Sequence, residues 1–187
     1  MIKNIYNTQN NLLLNNLMTF YKDDVFLNKM LNIITGESKI SLRIVDWFAT
    51  NYAKKYFTIY NIEDEQLTRR FKVYVDYKLK LKAYSKKRFD PFCRWDRINI
   101  PYGDTNTFIE TTIGQLNFFK WALENKVVDY IEENYDVIEK DMNMRNSTSK
   151  RILNTDNSKT RKKREELSIS ATKSIKKEKI EIILQFN

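Results

Sequence analysis

Lys72, Lys78, Lys80 and Lys82, with Tyr74 and Tyr84 among them, form the stretch of this sequence best suited to meeting another molecule. Ammonium groups in a row attract a phosphate backbone because each neutralised phosphate releases condensed counterion, and rings beside them stack on unpaired bases. The set continues directly in Lys86, Lys87, Arg88, Arg94 and Arg97, and again far downstream in Arg161, Lys162, Lys163 and Arg164. The combination points to nucleic acid bound without regard to sequence. A competing account is a solvated lysine-rich edge strand whose charge prevents edge-to-edge aggregation. The cluster from Arg161 to Arg164 also fits a nuclear import signal or a soluble linker.

Catalytic alternatives are few. With no His, the chain has no imidazole to activate a serine or cysteine, to act as a base or to hold a metal. Cys93 stands alone, which excludes an internal disulfide and a thiolate zinc cluster; between Phe92 and Arg94 it reads as a structural thiol. Asp76-Tyr77-Lys78 is an acid-x-Lys pair of the kind PD-(D/E)xK nucleases use with an upstream carboxylate, here Asp46 or Asp64, to hold a divalent ion. No Pro-Asp dipeptide precedes it, and the surrounding lysines suggest an open face. Asp90, Asp96 and Asp104 lie among Arg88, Arg94 and Arg97, so ion pairing explains them better than a metal does. No G-x-G-x-x-G, Walker lysine loop or G-x-S-x-G elbow occurs. The expectation is a protein that is not an enzyme and uses no metal or cofactor.

The elements that must carry these residues follow from spacing. Residues 25–34 read as an amphipathic helix ended near Gly36. Ser38 or Ser41 caps a second, SLRIVDWFATNYAKKY, with Trp47 facing the core. FTIY at 57–60 reads as a short strand followed by an acidic turn, NIEDEQ. From Phe71 to Tyr84 apolar and polar residues alternate, with Phe71, Val73, Val75, Tyr77, Leu79, Leu81 and Ala83 on one side. A period of two predicts a β-strand; at its full length it would reach about 46 Å, so it must bend or run on as a ribbon. Pro91 keeps Asp90 out of a helix, INIPYGD suggests an edge strand, and Thr111 or Thr112 caps a helix with Ile113, Leu116, Phe119 and Leu123 in one stripe. Glu124-Asn125-Lys126 interrupts it before an acidic helical region that ends near Met142. A weak echo, RIVDWFATN against NFFKWALEN, places Trp47 and Trp121 alike.

Composition bounds the whole. The 187 residues carry 33 Lys and Arg against 24 Asp and Glu, net +9, with 42% hydrophobic residues and only 3 Gly and 2 Pro, enough for a packed core. The charge is segregated: net 0 over 1–68, +8 over 69–97, −6 over 98–142 and +7 over 143–187. The last segment is too poor in aromatic and aliphatic residues to offset the entropy of ordering, although it ends in IEIILQF, which suits strand pairing or a partner's groove. The expected organisation is an N-terminal arm (1–20), a globular α+β domain (21–142) and a disordered basic C-terminal tail (143–187). Within the domain, helices flank a small antiparallel sheet with a long basic strand. The N-terminal apolar run is too short for a signal-peptide core and no span suits a membrane helix, so an intracellular setting without membrane contact is expected. Lys, Asn and Ile number 23, 20 and 20, the mark of an AT-rich genome.

Three segments, SKISLRIVDWFATNYAKKY (38–56), FKVYVDYKLKLKAYSKKRFDPFCR (71–94) and TTIGQLNFFKWALENKVVDYI (111–131), together resemble small proteins of nucleocytoplasmic large DNA viruses, mimivirus relatives included. The resemblance covers about residues 25–135, rests on no catalytic signature and transfers no site residue. It implies a cytoplasmic viral factory or a virion as the setting; the tail cluster leaves the nucleus open. The expected function is sequence-indifferent nucleic-acid binding (DNA or RNA) in genome organisation, packaging or viral expression. The alternative is a structural or adaptor protein that docks basic surfaces on acidic viral or host partners or on further copies of itself, and the minor one is a metal-dependent nuclease.

Overall fold

Three helices in this chain begin where a short polar side chain accepts a free backbone N–H. The computed structural model describes residues 2–64, 67–93, 97–101, 107–155 and 177–179. Helix α1 spans Ile2–Phe20 and α2 spans Asp24–Thr35. Asp23 caps α2 by accepting the Val25 N–H at 2.9 Å, and Gly36 closes it at φ +82°. Ser41 accepts the Ile44 N–H at 3.4 Å and starts α3 (Leu42–Trp47), which runs through one π-helical turn (Phe48–Tyr52) into α4 (Ala53–Lys55). Thr112 accepts the Gln115 N–H at 3.2 Å and starts α6 (Ile113–Glu124). The break at Asn125-Lys126 separates α6 from α7 (Val127–Glu133), and α8 (Tyr135–Thr155) follows. The starts at Ser41 and Thr112, the stop at Gly36 and the break at Asn125-Lys126 agree with the sequence reading.

Strands β1 (Ile59–Asp64) and β2 (Leu67–Lys72) pair antiparallel, with Ile59 opposite Lys72, so the strand expected at 57–60 continues into the segment read as an acidic turn. A second antiparallel sheet has β4 (Thr107–Thr112) between β3 (Arg97–Pro101) and β5 (Lys177–Lys179). The chain is therefore α+β, as expected. Residues 2–20, read as an arm, form a helix whose Leu17 is fully buried, and the helix expected to stop near Met142 continues to Thr155. The Arg161–Arg164 cluster and the terminal IEIILQF lie outside the described residues, as does Arg94.

The largest correction concerns residues 71–84. Phe71 and Lys72 end β2, and the long basic strand is instead helix α5 (Val73–Phe89). Val73 and Tyr77 are buried and Leu81 and Tyr84 half-buried; their spacing of i, i+4, i+8 and i+11 is a helical stripe. Alternation in the sequence survives on a helix because Val75 and Leu79, which a strand would have buried, stand in solvent at 53% and 60% exposure. Lys, Leu and Ala are good helix formers, and no Gly or Pro interrupts the run. The helix is broken once, at Ser85 (φ +65°, ψ 167°), and ends at Asp90, extended (φ −84°, ψ 119°) ahead of Pro91.

Helix α6 is the axis of the core. Nine of its twelve residues, from Gly114 to Leu123, are buried, the pattern of a helix covered on all sides. Its own Phe118 and Trp121 meet each other and Phe71, Tyr77 and Phe89 ring to ring at 5.7–6.4 Å. Each fully buried ring contributes on the order of 2 kcal/mol from area alone. Gly114 permits the close approach of α6 to the end of α5: a Cβ there would lie 2.8 Å from the Asp90 carbonyl oxygen.

Candidate nucleic-acid interface

The change from strand to helix redistributes the predicted cations. On α5, Lys78 and Lys82 are one turn apart, about 6 Å along the axis, and both are exposed, with Lys72 exposed at the end of β2. Between them, Tyr74, Val75, Leu79 and Leu81 line a shallow groove of about 580 Å³ whose rim is Lys78 and Lys82. Beyond the break at Ser85, Lys86 and Lys87 are again exposed. Lys80 is half-buried and turns instead toward a cleft with Leu13, Asn16 and Tyr84. Among the described residues, the ion pairs join Lys29 to Asp129, Lys39 to Asp136, Lys55 to Asp141, Arg97 to Glu110 and Lys120 to Glu124. None of them takes Lys72, Lys78, Lys80, Lys82 or Lys86.

Other predicted contributors face elsewhere. Arg88 donates from Nε to Asn10 Oδ1 at 2.8 Å, tying α5 to α1, and Arg97 is paired with Glu110 at 3.0 Å across the β3–β4 hairpin. Tyr84 is half-buried and stacks on Phe89, with ring centroids 6.1 Å apart and planes 18° apart. Tyr74 is half-buried at the groove, with Lys54 Nζ 5.7 Å from its ring centroid. Neither tyrosine presents an open ring face of the kind the strand reading expected. The acid-x-Lys pair comes apart too: residues two apart on a helix point to different faces, and Asp76 Oδ1 accepts the Trp121 indole N–H at 2.7 Å. Among the described residues no group of three metal-ligating side chains is assembled.

Sequence reading missed the open aromatic that the structure does present. Phe57 follows α4 at φ +49° and is 81% exposed. The turn beneath it is held by Asp141, a buried carboxylate on α8. Asp141 accepts from Lys55 Nζ at 2.5 Å, Tyr56 Oη at 3.0 Å and Trp47 Nε1 at 3.3 Å. Burial alone would push the Asp141 carboxyl up; the hydrogen bonds from Lys55, Tyr56 and Trp47 outweigh it and hold the group below the usual carboxylate range. Asp46, one residue before Trp47 in α3, goes the other way, raised to about 7 by burial and then by the Asp90 carboxylate. Cys93 is half-buried, and burial followed by Asp90 raises its thiol, the opposite of a nucleophile's environment.

A family of unknown function (DUF7197) matches residues 3–187. The chain belongs to this family. It is also similar to the uncharacterized protein L507 of Acanthamoeba polyphaga mimivirus, 46% identical over 128 residues, which cover 66% of this chain and 49% of that protein. The chain thus spans about half the length of this curated relative. No solved structure matches. The kinship with giant-virus proteins inferred from three short segments is borne out. No helix among the described residues of this DUF7197 protein is long and apolar enough to cross a membrane.

Proposed function

We propose that this DUF7197 protein is a non-enzymatic, sequence-indifferent nucleic-acid-binding protein of a large DNA virus, acting in genome organisation, packaging or expression, in the cytoplasmic viral factory or the virion. One observation carries the reading: Lys72, Lys78, Lys82 and Lys86 are exposed, and none takes part in an ion pair with a carboxylate among the described residues. Cations left without carboxylates of their own repel one another, and a polyanion relieves that repulsion while releasing counterions. Fluorescence anisotropy of labelled oligonucleotides across a salt series tests it. A steep log–log slope is expected, and the triple variant Lys78→Gln, Lys82→Gln, Lys86→Gln should flatten it by about 3, one for each phosphate contact removed. Absence of binding at roughly 50 mM salt, where phosphate contacts are strong, overturns the proposal.

A second reading rests on Val75 and Leu79. Aliphatic side chains between lysines match an acidic amphipathic protein segment better than a phosphate chain. Under that reading Val75→Ser with Leu79→Ser abolishes a protein complex and leaves oligonucleotide binding unchanged.

A further inference from the structure

The turn after α4 is built like a helix terminus that calls for glycine. Tyr56 N–H bonds to the Tyr52 carbonyl at 2.9 Å, and Thr58 N–H reaches back to the Ala53 carbonyl at 3.1 Å, closing the six-residue loop of a Schellman motif around the left-handed residue. That residue is Phe57. A bulky side chain at positive φ is an outlier for which glycine is the ordinary solution. The ring gains nothing from packing in return: it is 81% exposed, and no ring or cation partner accompanies it among the described residues.

Both flanks of the turn are tied down. On one side Lys55 and Tyr56 bond to buried Asp141; on the other, buried Thr58 accepts the Val73 N–H at 3.3 Å, which joins the turn to the start of α5. An exposed ring on a fixed base is preorganised for a flat partner. Beside the buried Asp141, exposed lysines flank the turn. Lys54 lies three residues earlier, over the Tyr74 ring at the rim of the α5 groove, and Lys72 sits opposite Ile59 in the β1–β2 register. Phe57 thus lies two residues from the strand partner of Lys72, one of the lysines already proposed to meet phosphates.

We infer that Phe57 is a stacking platform for an unpaired nucleobase, so that the protein's polyanion is single-stranded nucleic acid. The inference rests on the nucleic-acid reading above and narrows its ligand. In a duplex the faces of the bases are already covered by their neighbours, so a protruding ring adds nothing there; on a single strand each base offers a free face.

The test compares an oligothymidylate with a duplex of equal length at one salt concentration, using wild type, Phe57→Gly and Phe57→Trp. Glycine suits the left-handed backbone, so Phe57→Gly removes the ring without threatening the fold, and its melting temperature should equal or exceed that of wild type. The expected result is single-strand binding weakened about tenfold in Phe57→Gly, duplex binding and salt slope unchanged, and single-strand binding kept in Phe57→Trp. Equal single-strand affinity for Phe57→Gly and wild type overturns the stacking role while leaving phosphate binding intact. Failure of wild type to bind either polymer at low salt removes the underlying nucleic-acid reading, and the stacking role with it.

Discussion

Among the described residues three helix ends turn at a left-handed residue, Gly36, Phe57 and Lys126, and the first two make the sharpest contrast. Helix α2 turns at Gly36 (φ +82°), where the Ser38 N–H returns to the Asn32 carbonyl at 2.9 Å and no atom lies within 4 Å of where a Cβ would be. The helical run from Leu42 to Lys55 turns at Phe57 (φ +49°). Space is free around the first and a ring is thrust into solvent at the second, so crowding does not separate them. At Gly36 the conformation serves the chain reversal alone. At Phe57 it also displays a side chain, and the steric cost of about 1–2 kcal/mol for a non-glycine residue is borne by the rest of the fold.

The comparison can be pressed hardest through the supports of the second turn. Asp46 lies in the same helical run, and its carboxyl is raised to about 7 by burial and by Asp90. The folded protein then holds that proton more tightly than the unfolded chain does, so stability declines as pH rises from about 4 to about 7, by at most about 4 kcal/mol. Urea denaturation at pH 5 and pH 8 should show that decline in wild type and its loss in Asp46→Asn; identical pH profiles for the two proteins would refute the assignment. Asp141→Ala comes next. It leaves Trp47 and Tyr56 without their buried acceptor and should cost about 3 kcal/mol, read as a lower denaturation midpoint. Because the Asp141 carboxyl is held low, its contribution is present above pH 4 and fades as the pH falls through its depressed value. Smallest are the reciprocal exchanges at the two turns. Gly36→Phe should destabilise by about 1–2 kcal/mol from backbone strain alone, and Phe57→Gly should stabilise by about 1 kcal/mol. Thermal melts that move in the same direction for both exchanges would mean that the two ends are not equivalent.

Much of the framework was legible because it depends on local chemistry. Gly36, Ser41, Thr112 and the Asp90-Pro91 pair each act within a few residues, and each marked a boundary the structure contains. Helix α5 was misread because two periods fit it. Its buried set obeys the helical spacing, while exposed Val75 and Leu79 complete a false alternation, and only tertiary packing decides between them. The candidate interface was legible as a list of charges and not as a surface. Lys78 and Lys82 do face outward, but Lys80 turns into a cleft, and Arg88 and Arg97 are engaged by Asn10 and Glu110, partners distant in sequence or across a hairpin. Phe57 gave no signal because a left-handed backbone is read from glycine or asparagine, and neither is there.

The hydrogen atom that serves as the side chain of Gly114 sets how deeply the lysine-bearing helix nests on the aromatic centre. Any larger substituent would meet the Asp90 carbonyl, which belongs to the main chain and cannot swing aside as a side chain can. Alanine at that position would wedge the seam open where Phe89 enters the ring cluster, so the geometry of the charged surface and the integrity of the interior hang on one atom's worth of clearance.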